Sequence, residues 1–313
     1  MGRGAALLKK DPFRMKLRFG NERLSFRRLL GLKRDYVPKG YSPMNRFLPE
    51  DVFIVGYPKS GNTWFQHLVS GLVHGVDART SPPLLANDLV PDVHYDVFYR
   101  RYSTPMFFKS HHLPRPDYRR VVYLLRDGRD AMVSYRHYLE SIQRRQLDFL
   151  ELVTNAGSGI PCKWHQHVGA WLQNPHAAEM IVIKYEDLVM QPVEQLERFC
   201  RFIQLERDRS QLEAVADAAQ FRNLRAKEAR IGLGRPEIWP ADKFFFRRGV
   251  VGSYKDEMPP DVLRAFMTDA ADTLRRNGYA VEEPVSREVR ARPRPEPGPQ
   301  PVLQDFPVSM PAD

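Results

Sequence analysis

Short, continuous apolar runs alternate along this chain with stretches in which apolar side chains recur every three or four residues. Val52, Phe53, Ile54 and Val55 form an unbroken apolar run closed by Gly56, the pattern of a strand buried on both faces. Trp64, Phe65, Leu68, Val69, Leu72 and Val73 follow at helical spacing and predict a helix with one buried stripe. Further strands are predicted at Met106 to Lys109, Val121 to Leu125 and Ile181 to Tyr185. The second of these runs through RDGRD into a helix from about Asp130 to Ile142, with Asp130 where the helix dipole favours an anion. Pro192 reads as a first-turn proline, with Val193, Leu196, Phe199, Cys200 and Ile203 on the apolar side of its helix. A last helix is expected from about Pro260 to Asn277, with Val262, Leu263, Phe266, Met267, Ala270 and Leu274 inward and Gly278 as a C-terminal cap. Strand followed by helix, repeated, predicts an α/β fold of three α/β/α layers around a central, mostly parallel sheet.

Composition narrows the class. The 313 residues are 42% hydrophobic and 27% charged, an ordinary globular balance. No run of 18 apolar residues occurs, so no spanning helix is expected. Lys9, Lys10 and Asp11 interrupt the N-terminal apolar stretch, so no secretory signal is expected, and with only two cysteines a reducing cytoplasm fits. The net charge of +10 is concentrated at one end: residues 1–50 hold 13 Lys and Arg against 4 Asp and Glu. The body is left nearly neutral, which argues against a nucleic-acid partner. Residues 1–45 therefore read as a basic N-terminal extension, in which Phe13, Met15, Leu17 and Phe19 alternate with Arg14, Lys16 and Arg18. An ordered extension packed on the core and a peripheral contact with an anionic membrane both remain open for it. Residues 284–313 contain eight prolines and few large apolar side chains and read as a disordered tail, leaving residues 46–283 as the folded domain.

The loop Gly56-Tyr57-Pro58-Lys59-Ser60-Gly61-Asn62-Thr63-Trp64 joins the first buried strand to its helix. Small residues there let backbone N–H groups converge on a phosphate at the positive end of the helix. The spacing approaches a nucleotide-triphosphate loop, yet Asn62 stands where that motif requires lysine, and Lys59 lies inside the loop. A phosphate-loop kinase or nucleotide hydrolase is one rival reading; it lacks an apolar strand ending in a magnesium-binding aspartate. A non-catalytic basic lipid- or nucleic-acid-binding module is another. His165 and His167 beside Cys162 match no common zinc spacing, and no metal is expected.

The string YPKSGNTW resembles the 5′-phosphosulfate-binding loop of cytosolic-type sulfotransferases. Other landmarks of that family follow in order: FFKSHHLP, VVYLLRDGRDAMVSYRHY, IVIKYEDL, Gln220-Phe221 and FFFRRGVVGSYK, together covering about residues 45 to 279. The resemblance implies a phosphate-loop-like fold and the donor 3′-phosphoadenosine 5′-phosphosulfate, with no metal. It assigns Lys59, Ser60, Gly61, Asn62 and Thr63 to the 5′ end of the donor, and Arg126, Ser134, Arg247, Arg248 and Gly249 to the 3′-phosphate. Trp64 and Phe221 would stack on adenine, and Tyr185 would lie near the base. For the transfer it implies Lys59 at the developing negative charge, Lys109 beside it and His111 as general base. Alignment on HLP instead nominates His112. Departures from the family pattern are Ser110 for threonine, Gln220 for serine, Leu224 for methionine and Ser253-Tyr254 for Asp-Trp. The acceptor implied is a small-molecule alcohol or phenol, an amine, or a lipid, and residues 80–105, 144–166 and 225–245 are its expected walls.

Overall fold

The computed structural model describes residues 37–155, 162–236 and 238–281. The alternating part of the basic extension and the proline-rich segment lie outside them. The described strands are β1 (Ser42–Pro43), β2 (Val52–Gly56), β3 (Phe98–Tyr99), β4 (Phe107–Ser110), β5 (Arg120–Leu125) and β6 (Glu179–Lys184). β4, β2, β5 and β6 form one parallel sheet in that order, while β1 and β3 pair separately and antiparallel. The four buried strands fall where the apolar runs predicted them. The last ends one residue early, because Tyr185 opens a helix instead of closing the strand. The small β1–β3 pair has no apolar run to announce it.

In chain order the described helices are α1 (Asn62–His74), α2 (Leu85–Leu89), α3 (Gly128–Gln143), α4 (Phe149–Thr154), α5 (Trp164–Gln173), α6 (Tyr185–Met190), α7 (Pro192–Ile203), α8 (Arg209–Ala218), α9 (Phe221–Ile231), α10 (Tyr254–Glu257) and α11 (Pro260–Arg276). Side chains alternate across the strands, so each strand feeds two cores. Val52, Ile54, Phe107, Val122, Leu124 and Ile183 meet Phe65, Leu68, Leu72, Leu196, Phe199 and Leu212 from α1, α7 and α8. The opposite face stacks Phe53 on Tyr118, ring centroids 3.7 Å apart, and Tyr123 on Trp171 of α5 at 5.9 Å. Burying each such side chain is worth about 1.5–3 kcal/mol, so the two faces together hold the sheet as the middle of three layers.

Two devices set where the strands start and how the outer helices close. Asp51, fully buried, accepts from the backbone N–H of Leu48 and Met106 and pairs with Arg101 at 2.7 Å, fixing β2 against the start of β4. Gly128, at the start of α3, lies so close to α5 and α11 that a Cβ there would sit 2.4 Å from Trp164 and 2.7 Å from Phe266. Gly128→Ala is therefore expected to lower stability by about 1–3 kcal/mol through overpacking, read as a fall in thermal midpoint; an unchanged midpoint would show that the three helices do not close on this glycine.

Candidate active site

The turn from β2 into α1 leaves donors without partners. Gly61 is the N-cap of α1 at φ 98°, and it supplies no capping side chain to the N–H groups of the first turn. Its glycine is required twice, because a Cβ would also meet the Tyr185 ring at 2.9 Å. Lys59, one of the few non-glycine residues with positive φ, sits at 70°, and its carbonyl is held by Arg126 Nη1 at 2.9 Å. Ser60 Oγ, Asn62 Oδ1 and Arg126 Nε are buried without a hydrogen-bond partner among the described residues. The Arg126 Nε–H and the free N–H groups of an uncapped helix start are donors that a phosphate or sulfate would satisfy, whereas Asn62 Oδ1 can only accept; the donors at this turn fit an anionic ligand. The amide of Asn62 is directed inward to the Ile54 carbonyl at 3.3 Å, which leaves its backbone N–H as the group that can serve an anion.

The Lys59 ammonium lies 4.0 Å over the Phe245 ring and 4.7 Å over the Tyr138 ring. Burial, with the like charges of Lys109 and Arg126, pushes its pKa down to about 7. Phe245 is placed by Glu228, whose carboxylate accepts the backbone N–H groups of Phe245 and Phe246 at 2.6 and 3.0 Å. Lys109, on the same sheet face as Ile54, pairs with buried Asp92 at 3.0 Å and donates to Thr63 Oγ1 at 3.3 Å.

His111 follows on that face. Its Nδ1 lies 2.7 Å from the Gly56 carbonyl, which can only accept, so Nδ1 carries the proton and Nε2 keeps its lone pair. Its backbone N–H donates to His94 Nε2 at 2.9 Å. Burial, with the charge of Lys109, holds the His111 pKa down to about 3, so the ring is neutral. His112 takes the other face, its Nδ1 3.0 Å from the Tyr118 hydroxyl, as an extended segment requires of neighbours. His167 is a buried, satisfied histidine between the Tyr123 hydroxyl and the His111 carbonyl. Among the described residues no cluster of His, Cys, Asp and Glu could hold a metal.

A second cationic group faces the other end of the same space. Arg126 lies 4.2 Å over Tyr185 and 4.0 Å from Asp130; Asp127 is taken instead by Arg129 at 2.6 Å. Ser134 lies nearly two turns into α3, about half a turn deeper than a start at Asp130 would put it, because the helix starts at Gly128. Gly249, at φ 66°, packs its backbone on Phe221, where a Cβ would sit 2.5 Å from the ring. The Arg247 carbonyl accepts from Arg225, while Arg247 and Arg248 both reach Glu257, at 2.7–2.9 Å and 2.7 Å. Burial would raise the Glu257 pKa, but hydrogen bonds from Arg247, His137 and Arg248 hold it at about 2. Asp130, with no exposed surface, accepts from the backbone N–H of Gly252 and Tyr254 and the Ser253 hydroxyl, at 2.7, 2.9 and 3.2 Å. Trp64 donates to the Ala219 carbonyl at 2.8 Å and meets Tyr185 edge-on at 5.6 Å.

The β2–α1 loop, His94, Lys109, His111, His112, Arg126 and the Arg247–Gly249 segment border one cavity of about 1120 Å³. Of the residues singled out from sequence, Lys59, Gly61, Asn62, Thr63, Trp64, Lys109, His111, His112, Arg126, Ser134, Tyr185, Phe221, Arg247, Arg248 and Gly249 line it; Ser60 is buried and does not. Leu84, Tyr95, Tyr138, Ile238 and Trp239 give it an apolar, aromatic arm. Residues 80–105 and 225–245 contribute walls as expected. None of the described residues of 144–166 does, because α4 and α5 pack against α11 instead. Sequence reasoning missed Asp92, His94, Tyr138, Glu228, Phe245 and Glu257. Each acts on a motif residue through space, and only the run of aromatics before Arg247 offered a signal.

The profile of the sulfotransferase domain matches residues 49–278. Cytosolic sulfotransferase 11 of Arabidopsis thaliana is 29% identical over 247 residues, covering 69% of this chain and 70% of that protein. Flavonol 3-sulfotransferase of Flaveria bidentis is 28% identical over 247 residues, covering 69% and 78%. Among solved structures, retinol dehydratase in complex with androsterone and the inactive cofactor PAP superposes with a TM-score of 0.57 at 20% identity, over 76% of this chain and 84% of that one. A mouse sulfotransferase complexed with PAP gives 0.55 at 19%, over 73% and 85%. The two structures speak to the fold, and the match across most of the chain to the family, so this protein belongs to the sulfotransferase domain family.

Proposed function

We propose that the protein moves the sulfuryl group of 3′-phosphoadenosine 5′-phosphosulfate to a hydroxyl or amine of a small alcohol, phenol or lipid acceptor. The observation that carries this reading is the His111 imidazole. Its Nδ1–H is committed to the Gly56 carbonyl, and Nε2 takes no hydrogen-bond partner among the described residues, in a cavity that Lys59 and the uncapped start of α1 also line. The donor carries its transferable sulfuryl group at the 5′ end and a second anionic group, the 3′-phosphate, at the other side of its nucleoside. At one end the backbone of Gly61 to Trp64 and the side chain of Thr63 would hold the 5′-phosphosulfate. At the other, Arg126, Ser134, Arg247, Arg248 and the Gly249 backbone would hold the 3′-phosphate, with Trp64, Phe221 and Tyr185 around adenine.

The chemistry of the chain's own groups follows from their neighbours. Lys59 presents charge where the leaving oxygen becomes negative, and its low pKa in the free protein is what an approaching anion reverses. Lys109, held by Asp92, adds a second fixed positive charge. His111 Nε2 accepts the acceptor's proton as oxygen or nitrogen attacks sulfur, and the Gly56 carbonyl steadies the imidazolium that results. The aromatic arm of the cavity would hold an apolar acceptor body, in a protein that works in the cytoplasm. In the described residues no helix is long and apolar enough to cross a membrane.

Incubation with labelled donor and a panel of acceptors tests the activity, and lack of transfer to any of them, together with no uptake of adenosine 3′,5′-bisphosphate, would overturn it. His111→Ala is expected to lower turnover by about 10²–10⁴ with adenosine 3′,5′-bisphosphate affinity retained; activity equal to wild type would move the base to His112. Lys59→Ala should lower turnover by about 10²–10³, again with most nucleotide affinity kept in calorimetry. In the pH profile, kcat/KM for the donor should decline as pH rises through about 7, where Lys59 loses its proton in the free protein. No acid limb is expected near the ordinary histidine pKa, since His111 stays neutral down to about 3. Lys59→Arg, always charged, should keep its residual activity at higher pH; a profile unchanged by that substitution would assign the alkaline limb to another group.

A further inference from the structure

Four of the cations that face the cavity bring an anion with them. Lys109 pairs with Asp92 at 3.0 Å, Arg126 stands 4.0 Å from Asp130, and Arg247 and Arg248 share Glu257 at 2.7 Å each. The three carboxylates are not equivalent. Asp92 and Asp130 are 1% and 0% exposed and are tied to backbone N–H groups, His94 for the first, Gly252 and Tyr254 for the second. Their positions are built into the fold. Glu257 is 19% exposed, and its partners among the described residues are all cationic or titratable side chains: Arg247, Arg248 and the His137 Nε2 at 2.7 Å. Among the described residues no backbone group holds it. It takes both terminal nitrogens of Arg247, at 2.7 and 2.9 Å, as a phosphate would.

We propose that Glu257 is an exchangeable internal counter-anion of the 3′-phosphate clamp, displaced from Arg247 and Arg248 when the terminal phosphate of the donor arrives. The inference rests on the sulfotransferase reading of these arginines. The short helix that carries Glu257 is anchored by the hydrogen bonds of Gly252 to Tyr254 with Asp130, so its backbone stays in place and the long arginine side chains move. A phosphate brings about 1.5–2 negative charges to a pair of guanidinium groups that a carboxylate has already neutralised. Repulsion between that phosphate and Glu257 therefore opposes binding, and the exchange sets how tightly nucleotide is held and how readily spent nucleotide leaves.

Calorimetry with adenosine 3′,5′-bisphosphate and adenosine 5′-phosphate on wild type and Glu257→Gln tests this. The substitution removes the charge and keeps the shape. Glu257→Gln should bind the bisphosphate about tenfold more tightly, with a steeper loss of affinity on adding salt, because the freed guanidinium groups then exchange bulk anions. Its affinity for adenosine 5′-phosphate, which lacks the 3′ group, should match wild type. If Glu257→Gln binds the bisphosphate equally or more weakly, Glu257 only orients the arginines and the proposal fails. A gain that extends equally to adenosine 5′-phosphate also overturns it. Should the glutamine variant unfold, Glu257→Asp, which withdraws the carboxylate by one methylene, must shift bisphosphate affinity the same way. No uptake of the bisphosphate by wild type would instead remove the donor reading itself, a result separable from all the others.

Discussion

The buried carboxylate of Asp130 is the constraint on which the site depends. It stands in the first turn of α3, where the helix dipole favours it, and gathers the backbone of Gly252 and Tyr254 and the Ser253 hydroxyl. Burying an ionised carboxylate is costly unless its oxygens are satisfied, and here donors from a segment more than a hundred residues away satisfy them. That closure brings Arg247, Arg248 and Gly249 to the cavity that the β2–α1 turn opens. Without it the two ends of the anion site belong to distant stretches of chain with no reason to meet.

The other end of the cavity is governed by backbone geometry. Lys59 occupies a left-handed conformation that a non-glycine residue adopts at a cost of about 1–3 kcal/mol, stabilised by Arg126 on its carbonyl. The same arginine thus supports the loop near the 5′ end and offers its orphaned Nε to an anion. Glu228 performs a comparable task from α9. By holding the N–H groups of Phe245 and Phe246 it seats an aromatic ring under the Lys59 ammonium. The lysine is left among rings and like charges, so its proton is weakly held in the free protein.

Much of the fold was legible in local pattern. The apolar runs at Val52 and Val121 mark strands buried on two faces, the run at Ile181 marks a half-buried edge strand, and the spacing from Trp64 and from Pro192 marks helices whose stripes meet that sheet. The motif loop and the positions of Lys109, His111 and Arg126 were legible because strand ends place them. What was hidden depends on contacts across the chain. Nothing local predicts that Asp92 would pair with Lys109, that His94 would receive the His111 N–H, or that Glu257 would reach two arginines ten and nine residues earlier. The expected wall at 144–166 failed for the same reason. Its apolar residues read as surface-lining from sequence, whereas Phe149, Leu152 and Trp164 are buried with α11 on the far side of the sheet.

Lys109 belongs to the outermost strand of the sheet, and its open edge is not left bare. Its N–H donates to the Pro91 carbonyl, its carbonyl accepts from Val93, and Asp92 between them forms a single parallel bridge. The segment that completes this edge is continuous with Leu84 and Tyr95, which face the aromatic arm of the cavity. The shape of the cavity and the setting of two of its ionisable groups are consequently written in one stretch of chain. Exchanging residues 80–95 for those of a relative would alter the aromatic arm and the surroundings of the Lys109 ammonium and the His111 imidazole at once, so in this scaffold the two can be expected to evolve together.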